Sequence, residues 1–389
     1  MTMRSASLNF YFKHIKPHAK SPAVSSTIGL LKWVDRECLS LKYSLAQSFP
    51  ALVAPALSNV NIALISNCSL RCKACLYGRS FLPGHRINVE TVMATLDDLA
   101  ELRIPKVHLY GGEPLLYPEI TRLISYARDR GIFPSLGTNA ILLDDDAADE
   151  LYRSGLRAIN VGVYGVGSDY DDYVGKAGSF AKLERNLTSL RSRYPDVSLT
   201  FAWLIMKPTC SLDAVAKIWD FSKKLDVSFG PILIQYDFPY FSEGDHGELQ
   251  LLEEDRSTLE AMSRRLIQLK NLEPERISIS LEGLAAIPDW IIKKGANDIP
   301  CYMEDNVWIL PNGDVHVCPK HPAIGNINQT RFKSVVHTKA HEREVRDCLA
   351  LNCPNCHVRY DTRTTLHSRS RRHYAELARS LDVPELKKN

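Results

Sequence analysis

What constrains this chain most is a stretch of nine residues, Asn67-Cys68-Ser69-Leu70-Arg71-Cys72-Lys73-Ala74-Cys75. Its three cysteines stand at C-x3-C-x2-C spacing, directly after the apolar run 60–65. Thiolates gathered so closely have two chemical readings. Zinc closes a structural site with four protein ligands in a tetrahedron, and this stretch lacks the fourth. An iron–sulfur cluster takes thiolates on individual irons, so an absent fourth ligand leaves one iron open to a small molecule. The same spacing, i, i+4, i+7, also fits one face of an amphipathic helix. Ser66-Asn67 ends a β-like run, however, and clustered cysteines are costly unless they bind something. A metal-binding loop is the better expectation.

A second stretch, Val107-His108-Leu109-Tyr110-Gly111-Gly112-Glu113-Pro114, reads as a buried strand broken by two glycines and a rigid proline. Gly112 is where the backbone is expected to approach a ligand, and His108 reads as a satisfied core histidine. Around these stretches strand and helix alternate. Strands are expected at 60–65, 106–110, 133–137, 158–163, 198–206 and 231–236, and helices at 89–102, 120–130, 147–154, 180–194 and 212–225. Asp144-Asp145-Asp146 stands where a helix N-terminus favours acid. Such alternation implies an α/β fold with a parallel sheet and right-handed crossovers, with the chemistry on loops at the carboxyl ends of the strands.

Before this pattern, Ser26-Thr27 is expected to cap a helix running to about Ser48, with Ile28, Leu31, Val34, Cys38 and Leu45 near one face. It reads as a helical cover, with Cys38 a small buried hydrophobe. With 389 residues, 45% of them hydrophobic, the chain can bury one large core and a smaller one. A net charge of +3 argues against a nucleic-acid partner, and Arg369-Ser370-Arg371-Arg372 reads as a solvated helix face. The sequence has no apolar run of 18 residues and no secretory signal core, which argues against a membrane partner. Ten cysteines, clustered as they are, point to metal binding in a reducing cytoplasm.

From Cys301 the texture changes. Asn312-Gly313 between alternating apolar runs is a hairpin signal, and a hairpin would bring Cys301 and Cys318 together. After a mostly helical gap come Cys348 and then Cys353-Pro354-Asn355-Cys356. Thiolate ligation alone leaves zinc and a closed iron–sulfur cluster equally open.

The cysteine loop and the Gly111–Pro114 strand end together resemble the radical S-adenosylmethionine (SAM) enzymes. The resemblance implies a partial (β/α)6 barrel in which Cys68, Cys72 and Cys75 hold a [4Fe–4S] cluster whose open iron chelates SAM. It also implies that Gly111, Gly112, Glu113 and Pro114 contact the SAM amine, and that Gly137-Thr138-Asn139 offers Thr138 and Asn139 to the ribose. Two positions depart from the family. Tyr164 replaces a usual serine in a stretch that is either a ligand contact or a glycine-rich turn. Ala74 stands where an aromatic residue commonly meets the adenine, and Tyr77 is the expected replacement. C-x11-G-x4-C followed by C-x2-C, with Gly325-Asn326-Ile327, resembles the C-terminal SPASM extension or its shorter form, twitch. That implies one auxiliary [4Fe–4S] cluster on Cys301, Cys318, Cys353 and Cys356, with Cys348 a swapped ligand or a bystander.

The expected organisation is an N-terminal helical segment at 1–57, the barrel at 58–290, and the auxiliary-cluster extension with a C-terminal helix at 291–389. The implied activity is reductive cleavage of SAM to a 5′-deoxyadenosyl radical and hydrogen abstraction from the substrate. An electron donor such as flavodoxin or ferredoxin is the implied partner. If the auxiliary cluster takes the substrate's electron, the outcome is a two-electron oxidation of a small polar metabolite, with Tyr236 and Asp237 at the last strand end as the candidate base. The other reading for Asp237 is a helix cap. Two alternatives stand beside this function: a peptide maturase forming cross-links, for which the N-terminal segment is short, and a non-enzymatic metal-binding scaffold.

Overall fold

Each expected strand pairs with its sequence neighbour, and the register of those pairs builds the site. The computed structural model describes residues 22–235, 238–242, 247–294, 298–353 and 356–382. Helix α1 (Pro22–Ala46) leads into β1 (Asn59–Ala63), and five helix–strand units follow. They are α2 (Val89–Glu101) with β2 (Lys106–Tyr110), α3 (Ile120–Asp129) with β3 (Phe133–Thr138), and α4 (Asp145–Arg153) with β4 (Ala158–Val163). Next come α5 (Ser168–Val174) and α6 (Ser179–Arg193) with β5 (Ser198–Ile205), and α7 (Leu212–Lys224) with β6 (Ser228–Leu233). All these strands are parallel to their neighbours, the partial (β/α)6 arrangement that the alternation implied.

The remainder is α8 (Arg256–Leu272), α9 (Leu281–Ile292), β7 (Asn306–Ile309), β8 (Asp314–His316), β9 (Gly325–Asn326), α10 (Phe332–Val335), α11 (Lys339–Leu349), α12 (Tyr360–Leu366) and α13 (Ser368–Leu381). The sheet order is β6-β5-β4-β3-β2-β1-β7-β8-β9. Strand β7 pairs parallel with β1, so the C-terminal extension continues the barrel's own sheet. No local signal announces that pairing. The hairpin does form: β7 and β8 are antiparallel, and Gly313 takes φ +88° in the turn between them.

Strand faces alternate as period two requires. Val107, Leu109, Ile159, Val161, Phe201 and Trp203 are buried in the main core, under the helices. The opposite, concave face carries Asn61, His108, Ser135, Asn160, Thr200 and Ser228, which are partly or fully exposed. Asn61, His108 and Ser135 lie in register across β1, β2 and β3, and Asn160, Thr200 and Ser228 across β4, β5 and β6.

Two expectations need correction. Strand β6 begins three residues before the expected 231, at Ser228. It is an edge strand, where Pro231 can sit mid-strand without breaking a ladder. Helix α1 is already formed at Pro22, before Ser26. Its docked face is not the apolar one: Cys38 is exposed, as are Leu31, Val34 and Leu45. The side chain of Ile28 lies outside the described residues. Among its described side chains the buried positions are Ser40, Tyr43 and Ala46. Tyr43 stacks on Tyr302 with centroids 4.0 Å apart and donates to Glu304 Oε1 at 2.8 Å. Lys42 donates to Glu304 Oε2 at 2.7 Å, and Arg371, expected on a solvated face, reaches Glu37 at 2.8 Å. Specific polar and aromatic partners decide which face docks, and periodicity cannot see them.

Candidate active site

The cysteine stretch is a loop, which removes the amphipathic-helix reading. It is held from three sides at the carboxyl ends of the strands. From the β2 end, Gly112 N–H donates to Ile65 O at 2.7 Å and Glu113 N–H to Asn67 O at 2.9 Å. At the end of α5, Tyr173 O accepts from Lys73 N–H at 3.0 Å and Val174 O from Arg71 N–H at 3.1 Å. On the third side, Leu76 N–H donates to Tyr240 O at 2.9 Å, and Ser242 N–H donates to Ala74 O at 2.8 Å. Two arginines that sequence reasoning passed over brace its carbonyls. Arg71 donates to Cys68 O and Leu70 O, and Arg79 to Cys72 O and Cys75 O.

The glycines serve this loop. A Cβ on Gly112 would stand 2.3 Å from Ser66 O and 2.4 Å from Asn67 O, and one on Gly111 2.4 Å from Ile65 O. These are backbone atoms that cannot give way. The close approach expected between Gly112 and a ligand is therefore, in this structure, an approach to the cysteine loop itself.

Glu113 is fully buried, and burial pushes its carboxyl up. Its Oε1 accepts from Thr138 Oγ1 at 2.7 Å and Leu115 N–H at 3.0 Å, and its Oε2 from Asn139 N–H at 2.9 Å. Asn139 Nδ2 in turn reaches the Cys68 sulfur at 3.6 Å. Glu113, Thr138, Asn139 and Cys68, separate in sequence, form one continuous polar chain. Pro114 closes the strand end in a short 3-10 turn.

Tyrosines wall the loop. Tyr164 packs on Tyr173 and Tyr170 with centroids 4.8 and 6.0 Å apart, against the same core cluster as Cys72. Tyr77 is packed between Phe81 and Tyr240, centroids 5.2 and 4.9 Å away, so its ring is already engaged. Its hydroxyl lies near that of Tyr110, yet neither meets a partner in hydrogen-bonding geometry. Tyr240 packs in one buried cluster with Cys318, Cys356 and Cys75, so residues of both cysteine groups meet around it. His108 bonds Ser135 Oγ at 2.9 Å and is pushed down to about 4 by burial, a neutral, satisfied histidine.

The hairpin brings Cys301 and Cys318 within mutual influence, and Cys348, Cys353 and Cys356 join them. Tyr236 and Asp237 lie outside the described residues, as do Pro354 and Asn355.

Both nests fit iron–sulfur clusters by the chemistry of their donors. Burial pushes Cys68 and Cys301 up to about 11 and raises Cys72, Cys75, Cys318, Cys348 and Cys356 as well. Thiols so desolvated ionise only against a strong local positive charge, which a metal supplies. Among the described residues no three donors stand at metal-ligand separations, so the sulfurs are gathered without being closed on a point. The first loop keeps its cysteines partly exposed at the mouth of the concave face, beside unpartnered Tyr77 and Tyr110 hydroxyls. That suits a site open to a polar ligand.

Comparison with known proteins agrees. A family model described as the Radical SAM superfamily matches residues 62–207, and one described as the SPASM iron-sulfur cluster-binding domain matches residues 301–357. The chain is 29% identical over 135 residues to the Fe-coproporphyrin III synthase of Methanosarcina barkeri (strain Fusaro / DSM 804), covering 34% of each chain. It is 32% identical over 105 residues to the PqqA peptide cyclase of Gluconobacter oxydans (strain 621H), covering 26% of this chain and 29% of that one. It thus spans about a third of the length of the curated relatives it matches. A solved structure described as native anSMEcpe with bound AdoMet has a TM-score of 0.59 at 17% identity, over 83% of this chain and 97% of that one. At that identity the likeness is one of fold.

Proposed function

The chain belongs to the radical SAM superfamily and carries a SPASM iron–sulfur domain, and from that premise we propose that it oxidises a small polar metabolite by two electrons. When bound, a [4Fe–4S] cluster on Cys68, Cys72 and Cys75 with SAM supplies a 5′-deoxyadenosyl radical, and an auxiliary cluster in the C-terminal nest supplies an electron sink.

The chain's own part is placement and the exclusion of water. The clamped loop fixes the three sulfurs, and the polar chain from Glu113 through Thr138 and Asn139 to Cys68 holds the next strand end against them. Gly111, Gly112, Glu113, Pro114, Thr138 and Asn139 are the proposed cofactor-side residues, with Tyr77 beside them. The aromatic wall of Tyr164, Tyr170, Tyr173 and Tyr240 keeps water from a reactive intermediate.

The observation that supports the oxidation reading is that Tyr240 packs in one buried cluster with Cys75, Cys318 and Cys356. The two nests share a wall, so a substrate held at the first lies beside the second. Asn160, Thr200 and Ser228 stand early in β4, β5 and β6, away from the cysteine loop at the carboxyl ends, so the substrate class rests on the test below. Asp237, with Tyr236, is the proposed proton acceptor, and Asp237→Asn should then slow product formation more than SAM cleavage.

A second reading, a peptide maturase, is supported by the relative named PqqA peptide cyclase. The test is anaerobic reduction with SAM, followed by mass spectrometry for 5′-deoxyadenosine and for product lighter by two hydrogens. Cyclitols, nucleosides and amino sugars form one substrate panel, and precursor peptides the other. Turnover of peptides alone would move the assignment to the second reading. No 5′-deoxyadenosine with any substrate would sink both and leave the scaffold.

A further inference from the structure

Helix α1 keeps an apolar side out of the core. Leu31, Val34, Cys38, Leu41 and Leu45 recur at alternating steps of three and four residues. None of them is buried: Leu31 is 61% exposed, Val34 43%, Leu41 63% and Leu45 47%, with Cys38 exposed at the middle of the stripe. The turn after the helix carries the stripe on. Phe49 N–H still donates to Leu45 O at 2.9 Å, and Phe49 and Leu52 are exposed as well.

A different side of the helix docks on the chain. Ser40, Tyr43 and Ala46 are buried, and at about 100° per residue they centre roughly 160° around the helix from the stripe. A helix that covers a core does so with a broad apolar face, whereas a strict three-four repeat is the narrower seam along which two helices meet. Helix α1 therefore has two contact faces, and its own chain fills one.

The plain alternative is the scatter of apolar side chains that every protein surface carries. The other exposed large apolar residues among those described, Leu116, Leu212, Ile232, Leu252 and Leu272, are indeed scattered through the sequence. The stripe is not. Leu31, Val34, Leu41, Leu45, Phe49 and Leu52 together expose about 600 Å², the upper end of what a monomer's largest patch usually measures. Doubled by an identical partner, about 1,200 Å² would be buried, which reaches the range of specific interfaces.

We propose that α1 pairs with α1 of a second copy of this chain along the seam of Leu31, Val34, Cys38, Leu41 and Leu45, so that the protein is a two-fold dimer. A second copy brings the same spacing over the same length, which makes the seam its own complement. Two charges beside the seam are already engaged: Lys42 pairs with Glu304 and Glu37 with Arg371 of their own chain. They do not repel their counterparts in a second copy as bare charges would.

The test uses the full chain, purified without oxygen, in sedimentation equilibrium over a range of concentrations. The expected mass is twice the 43.8 kDa of one chain. Alkylation of Cys38, followed by peptide mass spectrometry, reads the seam directly: it should be slow in the dimer and should quicken as dilution releases monomer. Leu41→Glu would bury an unpaired charge in the seam and should raise the dissociation constant by about 100-fold or more, with fast Cys38 alkylation and unchanged SAM cleavage per chain. Leu272→Glu, an exposed apolar position on α8, should leave the dimer as it is.

A monomer at every concentration would overturn the proposal, whether Cys38 reacts freely or is covered from within the same chain. A dimer that survives Leu41→Glu, or in which Cys38 reacts as fast as in the monomer, would place the interface elsewhere and overturn it too. Should Leu41→Glu fail to fold, the dependence of Cys38 alkylation on dilution in the unaltered protein decides: rates that rise with dissociation support the seam, and rates indifferent to it overturn it.

Discussion

The two cysteine nests are built in opposite ways. In the first, three cysteines lie within eight residues of one loop, partly exposed, and the rest of the barrel only clamps that loop. In the second, five cysteines spread from 301 to 356 come from a loop, a strand end, a helix and the C-x2-C pair, and Cys301, Cys318 and Cys348 are buried. Cys301 to Cys356 thus converge only when β7 has joined β1 and α11 has packed. A local nest can leave a position open to a ligand, because its rigidity comes from backbone around it. A dispersed nest surrounds its contents and is suited to storing charge. Openness and closure follow from how far apart in sequence the ligands lie.

Breaking the clamp of the first nest should have the largest effect. Gly112→Val drives a side chain into Ser66 O and Asn67 O, so the loop must move and its sulfurs with it. The site cluster and all 5′-deoxyadenosine should be lost while auxiliary iron remains. Separate iron and resonance signals measure this, and a variant that kept full SAM cleavage would contradict the clamp.

Opening the second nest should separate the reactions. In Cys353→Ala, Cys356→Ala the oxidised product should fall by about tenfold or more, with SAM cleavage changed by less than about threefold. Parallel losses in both would mean that the second nest staples the fold and accepts no electron.

The polar chain between strand ends sharpens the first half of the comparison. Glu113→Gln keeps one acceptor oxygen but turns an amide donor toward groups that are themselves donors, Thr138 Oγ1 or Asn139 N–H. An unsatisfied buried group costs about 1–3 kcal/mol, so SAM affinity should drop by about tenfold and the melting temperature should fall. A SAM titration by calorimetry checks the first and thermal unfolding the second.

The smallest effect concerns pH. Burial holds Cys68 and Cys301 at about 11 in the folded chain, above the ordinary value of about 8.5. A thiol that stays protonated when folded but ionises when unfolded lowers stability as pH rises through the unfolded value. Metal-free protein should therefore lose melting temperature from about pH 8.5 upward. Iron-loaded protein, whose ligand thiolates are already ionised, should lose less, so equal slopes would remove the desolvation account.

Much of the site was legible because it is local. The loop after β1, the glycines after β2 and the Asn312-Gly313 hairpin each carry their geometry in adjacent residues, and alternation of period two and period 3.6 placed the strands of the barrel. Asp144 capping α4 through Ala147 N–H at 3.1 Å is the same kind of signal. What failed was partner choice. Helix α1 shows an apolar stripe, yet docks through Tyr43, Lys42 and Glu37 because Tyr302, Glu304 and Arg371 wait on the other side.

By itself, the sequence determined the class of chemistry through its resemblance to a family, because the cysteine loop and the glycine-glycine-glutamate-proline strand end that carry the resemblance are each local. Only the tertiary structure decided that Gly112 serves the cysteine loop, that Tyr240 packs in one cluster with cysteines of both nests, and that His321 lies against Cys348 and Glu344. Each of those contacts joins residues tens of positions apart or more, or depends on which elements pack together. Their energies arise only once the intervening chain is ordered, and no window of sequence contains them.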